Sequence, residues 1–304
     1  WLWRDWPKPV AVSKGEGGER HFVNLIPDPN SDWEVVSEGH RFTEGPAVAP
    51  DGRLFFADVG ASRIYRIDDG GKAVLFQENT GGASGLMFGP DGRLYAAQGR
   101  TKQVVSYSAG GEQKVVAEDI EGNDLAVSSK GNIYVTEPSK HRIWLIDAKG
   151  GKRVVHEGGI EFANGVRFSP DESLLLVADT LGRFVWSFQV QPDGGLGNGE
   201  PFYHLELPDE VSAGPIRSGA DGMTLDTEGY LYVATRLGIQ VCDQPGRVVA
   251  ILRKPGGSDP SNVVFAGKEM NRLYVTAGGT VYGRTLRRHG FLPWQPVKPP
   301  KPTL

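Results

Sequence analysis

The stretch FTEGPAVAPDGRLFFAD, residues 42–58, contains the pattern that decides the fold. Apolar and aromatic residues on both sides of the turn sequence Pro50-Asp51-Gly52 predict two short antiparallel strands, because Asp and Gly tolerate the tight turn that joins them. The first strand begins with a carboxylate, Glu44, in a segment that otherwise has the character of a buried strand. A buried carboxylate is unfavourable without a partner, so we expect Glu44 either to face water or to bind something.

The same pattern recurs five more times at a spacing of about 40 residues. Each copy has an apolar strand, a turn with Gly or Asp and a second apolar strand, and two further strands usually follow. The aligned first strands begin at residues 44, 84, 123, 164, 221 and 261. Six copies of a four-stranded unit of ~40 residues are typical of a six-bladed β-propeller. The sequence therefore predicts an all-β fold with four antiparallel strands in each blade.

The two ends of the repeat region predict how the ring of blades closes. The last copy has no convincing fourth strand, whereas the strand-like sequence DWEVVSEG, residues 32–39, precedes the first copy. We expect this N-terminal strand to complete the sixth blade. The predicted organisation is an N-terminal extension at residues 1–30, a propeller at residues 31–286 and a Pro-rich C-terminal tail at residues 287–304.

Composition limits the classes of partner. With 33 Lys and Arg against 37 Asp and Glu, the formal charge is −4, which gives no electrostatic reason to bind nucleic acid or an anionic membrane. A small soluble substrate or a protein remains, and we expect a monomer or weak dimer. The one cysteine, Cys242, excludes an intrachain disulfide and a zinc site made of several thiolates.

The compartment is less well determined by the sequence. No apolar run approaches the ~20 residues that span a bilayer, which predicts a soluble protein. The chain begins with Trp1 rather than Met, which suggests a processed or excised fragment. The bacterial cytoplasm and the periplasm or exterior therefore both stay open.

The propeller geometry brings equivalent positions of the six first strands together at one mouth of the central channel. In blade order this ring holds Glu44, Ser84, Asn123, Asn164, Asp221 and Ser261, with Asn262 as the alternative in the last place. Two carboxylates and two carboxamides thus point oxygen atoms at a common axis, and no Lys or Arg is among them. A bound cation removes the repulsion between the carboxylates. An all-oxygen ligand set favours hard ions, Ca²⁺ above all.

Each ring residue also has a simpler explanation. A polar residue followed by glycine at the start of a strand often does no more than cap an exposed turn. Four oxygen donors at one position, in repeats that otherwise carry Ser there, favour a metal site over four independent caps.

With these residues the chain resembles the gluconolactonase and regucalcin-like propellers, a family that also includes diisopropylfluorophosphatase-type enzymes. The resemblance is carried by TEGP at 43–46, GNDL at 122–125, ANGV at 163–166 and ADGM at 220–223. It implies that Glu44, Asn164 and Asp221 coordinate a divalent cation and that Asn123 completes the shell or contacts substrate. It also implies that Asp221 doubles as a general base.

One position departs from the pattern of the family. Some relatives place an arginine that holds sugar hydroxyls two residues before Asn123, and here that residue is Glu121. We expect Asn123 and Glu121 to contact the substrate. We expect further contacts near the ends of second strands, from Gln98, Glu137 and His141. Substrate preference is therefore expected to differ from that of relatives with the arginine.

The predicted function is a metal-dependent hydrolase that opens a sugar lactone, with Ca²⁺ as the expected ion and Zn²⁺, Mg²⁺ or Mn²⁺ as alternatives. The cation would polarise the lactone carbonyl, while Asp221 supplies the base and Asn123 assists. The alternative is a non-catalytic propeller that binds a protein or glycan and uses Ca²⁺ only to stiffen the fold. The fold alone does not separate the two, because propellers host both functions.

Overall fold

A computed structural model describes residues 26–208 and 217–301 of the chain. Most of the predicted N-terminal extension, residues 1–25, lies outside the described residues, as do residues 209–216 and 302–304. Within the described ranges, no helix is long and apolar enough to cross a bilayer.

Six four-stranded antiparallel sheets form a six-bladed β-propeller, which confirms the predicted fold. Strand β1 (Glu34–Ser37) precedes the first blade in the chain. Blade 1 contains β2 (Thr43–Val48), β3 (Leu54–Asp58), β4 (Arg63–Ile67) and β5 (Ala73–Glu78). Blade 2 contains β6 (Ala83–Phe88), β7 (Leu94–Gln98), β8 (Gln103–Tyr107) and β9 (Gln113–Glu118). Blade 3 contains β10 (Leu125–Val127), β11 (Ile133–Glu137), β12 (Arg142–Ile146) and β13 (Lys152–Glu157).

The remaining blades repeat this order of strands. Blade 4 contains β14 (Ala163–Phe168), β15 (Leu174–Asp179), β16 (Phe184–Val190) and β17 (Leu196–His204). Blade 5 contains β18 (Met223–Leu225), β19 (Leu231–Thr235), β20 (Gly238–Cys242) and β21 (Val248–Leu252). Blade 6 contains β22 (Pro260–Ala266), β23 (Arg272–Ala277) and β24 (Thr280–Thr285), and its fourth strand is β1.

The closure predicted from the ends of the repeat region is confirmed. Strand β1 pairs antiparallel with β24, with Glu34 opposite Gly283 and Val35 opposite Tyr282. The outer edge of the last blade is thus supplied by the start of the propeller. Backbone hydrogen bonds from that strand tie the two ends of the ring together.

The first strand of each blade lines the channel and is buried along nearly its whole length. Every residue of β2 and β14 is buried, whereas β5 and β13 at the outer edges contain only half-buried and exposed residues. Neighbouring first strands approach very closely. A Cβ atom on Gly45 would lie 1.9 Å from the carbonyl oxygen of Ser84, and one on Gly165 would lie 2.2 Å from that of Asp221. Glycine follows the ring residue in these motifs because a side chain would collide with the next blade.

The Pro-rich tail packs against the ends of the first strands farthest from Glu44. Phe291 and Pro293 line a small cavity together with Phe168, at the end of β14, and the Trp294 ring centroid lies 6.2 Å from that of Phe88 at the end of β6. The Val297 N–H donates to the Pro170 carbonyl oxygen at 2.7 Å. The tail therefore covers the mouth of the channel opposite the ring.

Candidate active site

The four predicted metal ligands lie together. Glu44, Asn123, Asn164 and Asp221 line one cavity of about 630 Å³ at the start of the channel strands. Glu44 and Asn164 are the second residues of β2 and β14, while Asn123 and Asp221 stand two residues before β10 and β18. The repeat places each of them at the same level of the channel, as the shared spacing predicts.

The last position of the ring is filled by Ser261 rather than by Asn262. Pro260 pairs with Ala277, just as Thr43 pairs with Asp58 in blade 1, so Ser261 is equivalent to Glu44. The Ser261 hydroxyl donates to the Thr43 carbonyl oxygen at 2.9 Å and thereby joins blades 6 and 1.

Glu44 is buried, with 8% of its surface exposed. Its Oε2 atom accepts hydrogen bonds from the Gly45 N–H at 2.7 Å and from Asn262 Nδ2 at 3.1 Å. Burial nevertheless raises the pKa of Glu44 to about 7, and the nearby charge of Asp124 acts in the same direction. Two hydrogen bonds are thus too few to offset the loss of water around this carboxylate.

Asp221 lies close enough to Glu44 in the ring for the two charges to interact. Burial raises the pKa of Asp221 well above its usual value, and the charges of Glu44 and Asp124 raise it further. Acidic groups that disfavour each other's ionised forms in this way are stabilised together by a cation.

The Asn164 amide has a defined orientation. Thr180 donates its hydroxyl to the Ala220 carbonyl oxygen at 2.6 Å, so it accepts from Asn164 Nδ2 at 3.0 Å. No described residue donates to the Asn164 Oδ1 atom, and the Asn123 side chain has no hydrogen bond to another described residue. Both asparagines therefore have an amide oxygen atom that no described residue occupies with a hydrogen bond.

A third carboxylate, Asp124, was missed from the sequence. It lies buried directly behind Asn123, and its oxygen atoms accept from the Leu125 N–H at 2.8 Å and the Val166 N–H at 3.2 Å. Burial raises the pKa of Asp124, although Arg167 Nη1 at 3.9 Å from Oδ2 acts in the opposite direction. A usable signal existed: the GNDL motif has Asp where the other three family motifs have Gly.

Glu121, a predicted substrate contact, lines the cavity. Its Oε2 atom lies 3.3 Å from Lys102 Nζ, so its charge already has a partner. Its backbone N–H donates to Glu137 Oε1 at 3.3 Å, and Glu137 Oε2 accepts from Trp144 Nε1 at 2.7 Å. Glu137 is fully buried and lies behind the cavity wall, where it holds the segment that carries Glu121.

The other two predicted substrate contacts also lie outside the described cavity lining. Gln98 is buried, and its Nε2 donates to the Tyr107 hydroxyl at 2.8 Å between neighbouring strands of blade 2. His141 has a left-handed backbone with φ of 53° and places Nδ1 3.2 Å from the Ile160 carbonyl oxygen. Contact of Gln98, Glu137 and His141 with substrate stays a prediction that this placement does not support.

Sequence reasoning missed three further residues of the cavity wall, Phe42, Phe162 and Arg100. The two phenylalanines occupy the same position of their blades, two residues before the ring, and Phe42 is 45% exposed. In blade 3 that position is Glu121. The position two residues before each ring residue was therefore the available signal for the wall.

Ser37, His40 and Asp58 form a cluster outside the cavity lining. Ser37 Oγ lies 2.7 Å from His40 Nε2, but His40 Nδ1 is 3.7 Å from Asp58 Oδ2, too far for a hydrogen bond. Asp58 instead accepts three backbone N–H groups, those of Arg41, Phe42 and Ala61. This aspartate fastens a turn and does not orient a catalytic histidine.

The ring residues fit a hard cation. Among the residues that the structure describes, no group of three or more His, Cys, Asp or Glu side chains is placed to hold a metal ion. The ring offers a different set, in which amide oxygens of Asn123 and Asn164 join two carboxylates whose pKa values are raised by burial. Mixed carboxylate and amide oxygens are the donors that Ca²⁺ accepts.

Comparison with known proteins agrees with the fold. The family model described as "SMP-30/Gluconolactonase/LRE-like region" matches residues 42–279. The chain is 24% identical over 299 residues to a gluconolactonase of Zymomonas mobilis, a match that covers 85% of this chain and 82% of the relative. It is 26% identical over 254 residues to pentonolactonase XacC of Haloferax volcanii, with 81% and 84% covered.

A solved structure with the same fold is the calcium-binding protein regucalcin of Agrobacterium tumefaciens. It aligns with a TM-score of 0.72 at 21% identity and covers 86% of this chain and 96% of its own. At this identity the likeness concerns the fold alone. Because the family model spans most of the propeller, the chain belongs to the SMP-30/gluconolactonase/LRE-like family.

Proposed function

We propose that this protein is a lactonase that opens a sugar lactone with the help of one divalent cation. The observation that carries the proposal is the convergence of Glu44, Asn123, Asn164 and Asp221 on one cavity of about 630 Å³. The relatives named gluconolactonase and pentonolactonase support the choice of a sugar lactone as the substrate class.

Glu44, Asn164 and Asp221 would hold the cation, and Asn123 would complete the shell or face the substrate. When bound, a divalent cation supplies Lewis-acid polarisation of the lactone carbonyl. Ca²⁺ is favoured because the four groups offer only oxygen atoms, whereas Zn²⁺ sites draw mainly on His and Cys. The regucalcin of Agrobacterium tumefaciens is a calcium-binding protein, which supports the same ion.

The protein's own residues would move the protons of the reaction. Hydrolysis forms a bond from the water oxygen to the lactone carbonyl carbon and breaks the bond from that carbon to the ring oxygen. The Asp221 carboxylate accepts a proton from the water and returns it to the ring oxygen, which leaves as a hydroxyl on the same molecule. Asn123 has no hydrogen bond to another described side chain, so its Nδ2 is available to donate to a substrate oxygen.

The wall of the cavity would position the sugar ring. Phe42, Val59 and Phe162 present apolar surface on the sides formed by blades 1 and 4. The C–H faces of a sugar ring pack against such surface, while its hydroxyls face the polar side near Glu121. This arrangement leaves the carbonyl free to face the ring of oxygen ligands.

Asp221→Asn tests the proposal, because it keeps an oxygen atom and nearly the same volume but removes the base. At saturating Ca²⁺ we expect lactone hydrolysis to fall by ~100-fold, the size typical of a lost general base, in a protein with unchanged circular dichroism. Ser84→Ala, at the same position of blade 2, is the control and should change the rate by no more than ~3-fold.

Two results would overturn parts of the proposal. Full activity of Asp221→Asn at saturating Ca²⁺ would remove Asp221 as the base. Absence of hydrolysis over a broad panel of five- and six-membered lactones would instead favour the non-catalytic propeller.

A further inference from the structure

Arg100 is the one cation among the described residues that line the cavity. It lies two residues beyond the end of β7, on the wall formed by blade 2. Its guanidinium makes a single polar contact with the described residues, from Nη1 to Ser62 Oγ at 3.0 Å. Arginine has five N–H donors, so most of them face the cavity and solvent without a protein acceptor.

The backbone and a neighbouring glycine fix the course of this side chain. The Arg100 N–H donates to the Gly81 carbonyl oxygen at 3.1 Å. A Cβ atom on Gly82 would lie 2.9 Å from Arg100 Cγ and Cδ and 3.0 Å from Nε. The side chain therefore lies across the surface that Gly82 leaves open, which places the guanidinium beside the cavity before any ligand arrives.

Among the described residues, no carboxylate lies within ion-pairing distance of the Arg100 guanidinium. Glu121, on the neighbouring blade, is paired with Lys102 at 3.3 Å. Phe42 and Phe162 make the walls of blades 1 and 4 apolar. On the side of blade 2, Arg100 can therefore form an ionic contact with a part of the substrate that lies outside the central ring.

We propose that Arg100 forms a subsite for an anionic group, carboxylate or phosphate, that the lactone carries away from its reacting carbonyl. The planar guanidinium binds either group through two parallel hydrogen bonds, and the contact is charge-assisted. The inference rests on the lactonase function proposed above and narrows its substrate class. The preferred substrates are acidic sugar lactones, either phosphorylated or with a second carboxylate, rather than neutral aldonolactones.

Blade 5 provides a matched control, Arg236. Its N–H donates to the Ser218 carbonyl oxygen at 3.0 Å, and a Cβ on Gly219 would lie 2.7 Å from its Cγ. Arg236 thus lies across a glycine in the same way as Arg100 does. It is exposed but is not among the described residues that line the cavity.

The kinetic experiment compares three substrates at saturating Ca²⁺: gluconolactone, phosphogluconolactone and glucarolactone. We expect the wild-type protein to have at least ~10-fold higher kcat/KM for one or both acidic lactones than for gluconolactone. Arg100→Gln should reduce that preference by ~10- to 100-fold, mainly through KM, and Arg236→Gln should leave it within ~2-fold of the wild type. The preferred acidic lactone identifies the anion as phosphate or carboxylate.

A binding measurement keeps the inference separate from the proposed function. Calorimetric titration of each protein with the ring-opened acids phosphogluconate, glucarate and gluconate does not require catalysis. Tighter binding of a doubly acidic ligand that is lost in Arg100→Gln and kept in Arg236→Gln would support the subsite even in a protein that hydrolyses no lactone. Equal kcat/KM for acidic and neutral lactones, or a preference unchanged by Arg100→Gln, would overturn the subsite and leave the lactonase function standing.

Discussion

Replacing Glu44 with glutamine should have opposite effects on the metal-free and the calcium-loaded protein. Burial raises the pKa of Glu44 from its ordinary value of 4.5 to about 7. At 1.36 kcal/mol for each pH unit, an ionised Glu44 therefore destabilises the metal-free fold by about 3 kcal/mol. Glutamine removes this charge but keeps an oxygen atom that can accept the hydrogen bonds of Gly45 and Asn262.

The pH dependence follows from the sign of the pKa shift. Folded Glu44 holds its proton more tightly than unfolded Glu44, so the free energy of unfolding of the metal-free protein falls as pH rises from about 4.5 to about 7. Above about pH 7, the folded protein bears the full destabilisation of about 3 kcal/mol from ionised Glu44. In chelator near pH 8, Glu44→Gln should thus raise the free energy of unfolding by up to about 3 kcal/mol, and near pH 4 it should change it little.

Calcium should reverse the order of stability, so that the wild type becomes more stable than Glu44→Gln. A ligand that binds only the folded state adds RT ln(1 + [L]/Kd), which is about 4 kcal/mol at a thousand times Kd. The wild-type protein should gain this stability, and Glu44→Gln should lose most of it. Urea denaturation of both proteins at both pH values, once with chelator and once with Ca²⁺, measures these differences in the free energy of unfolding.

Ser84→Ala is the control for this experiment. It loses the hydrogen bond from Ser84 Oγ to the Asn123 carbonyl oxygen at 2.6 Å, which should lower the free energy of unfolding by about 1 kcal/mol in every condition. The reasoning about the ring is wrong if Glu44→Gln lowers the stability of the metal-free protein near pH 8. It is also wrong if Ca²⁺ stabilises the Glu44→Gln variant as much as it stabilises the wild type.

Two further predictions concern the ring and the opposite mouth of the channel. Calcium affinity should fall as pH is lowered through about 7, because protons compete with the ion for Glu44, whose pKa burial raises to about 7; a calorimetric affinity that stays constant down to about pH 5 would contradict this. Trp294→Ala should lower the free energy of unfolding by ~3 kcal/mol, because Trp294 is buried against the end of β6. Ile251→Ala, at an exposed position, is the control and should change it by less than ~1 kcal/mol, so equal urea midpoints for the two variants would contradict the role of the tail.

The fold was predictable because its signal is repeated. Any single pair of strands, such as residues 44–58, is compatible with many folds, but six copies at nearly constant spacing are compatible with few. The same repetition aligned Glu44, Asn123, Asn164 and Asp221 in one register. Close packing of the channel strands fixes this alignment between neighbouring blades, because Gly45 and Gly165 touch the next blade.

The cavity wall was less predictable because it depends on which way individual side chains turn. Gln98 and Glu137 end their strands, where a wall was expected, but Tyr107 and Trp144 offer them hydrogen bonds inside the sheet. Asp124 was missed for a related reason, because its carboxylate occupies room that Gly85 of the neighbouring blade leaves. A Cβ on Gly85 would lie 2.4 Å from Asp124 Oδ1. Contacts between blades of this kind are not visible within a single repeat.

The most direct test of the central claim is a calorimetric titration of chelator-treated protein with Ca²⁺, repeated on Glu44→Ala and Asp221→Ala. The ring of oxygen ligands predicts one ion per chain in the wild-type protein. It also predicts binding weakened at least ~100-fold in each variant, because each loses a charged ligand. Circular dichroism of the variants shows whether they remain folded. Absence of binding in the wild type, or the same single site in both folded variants, would contradict a cation held by this ring.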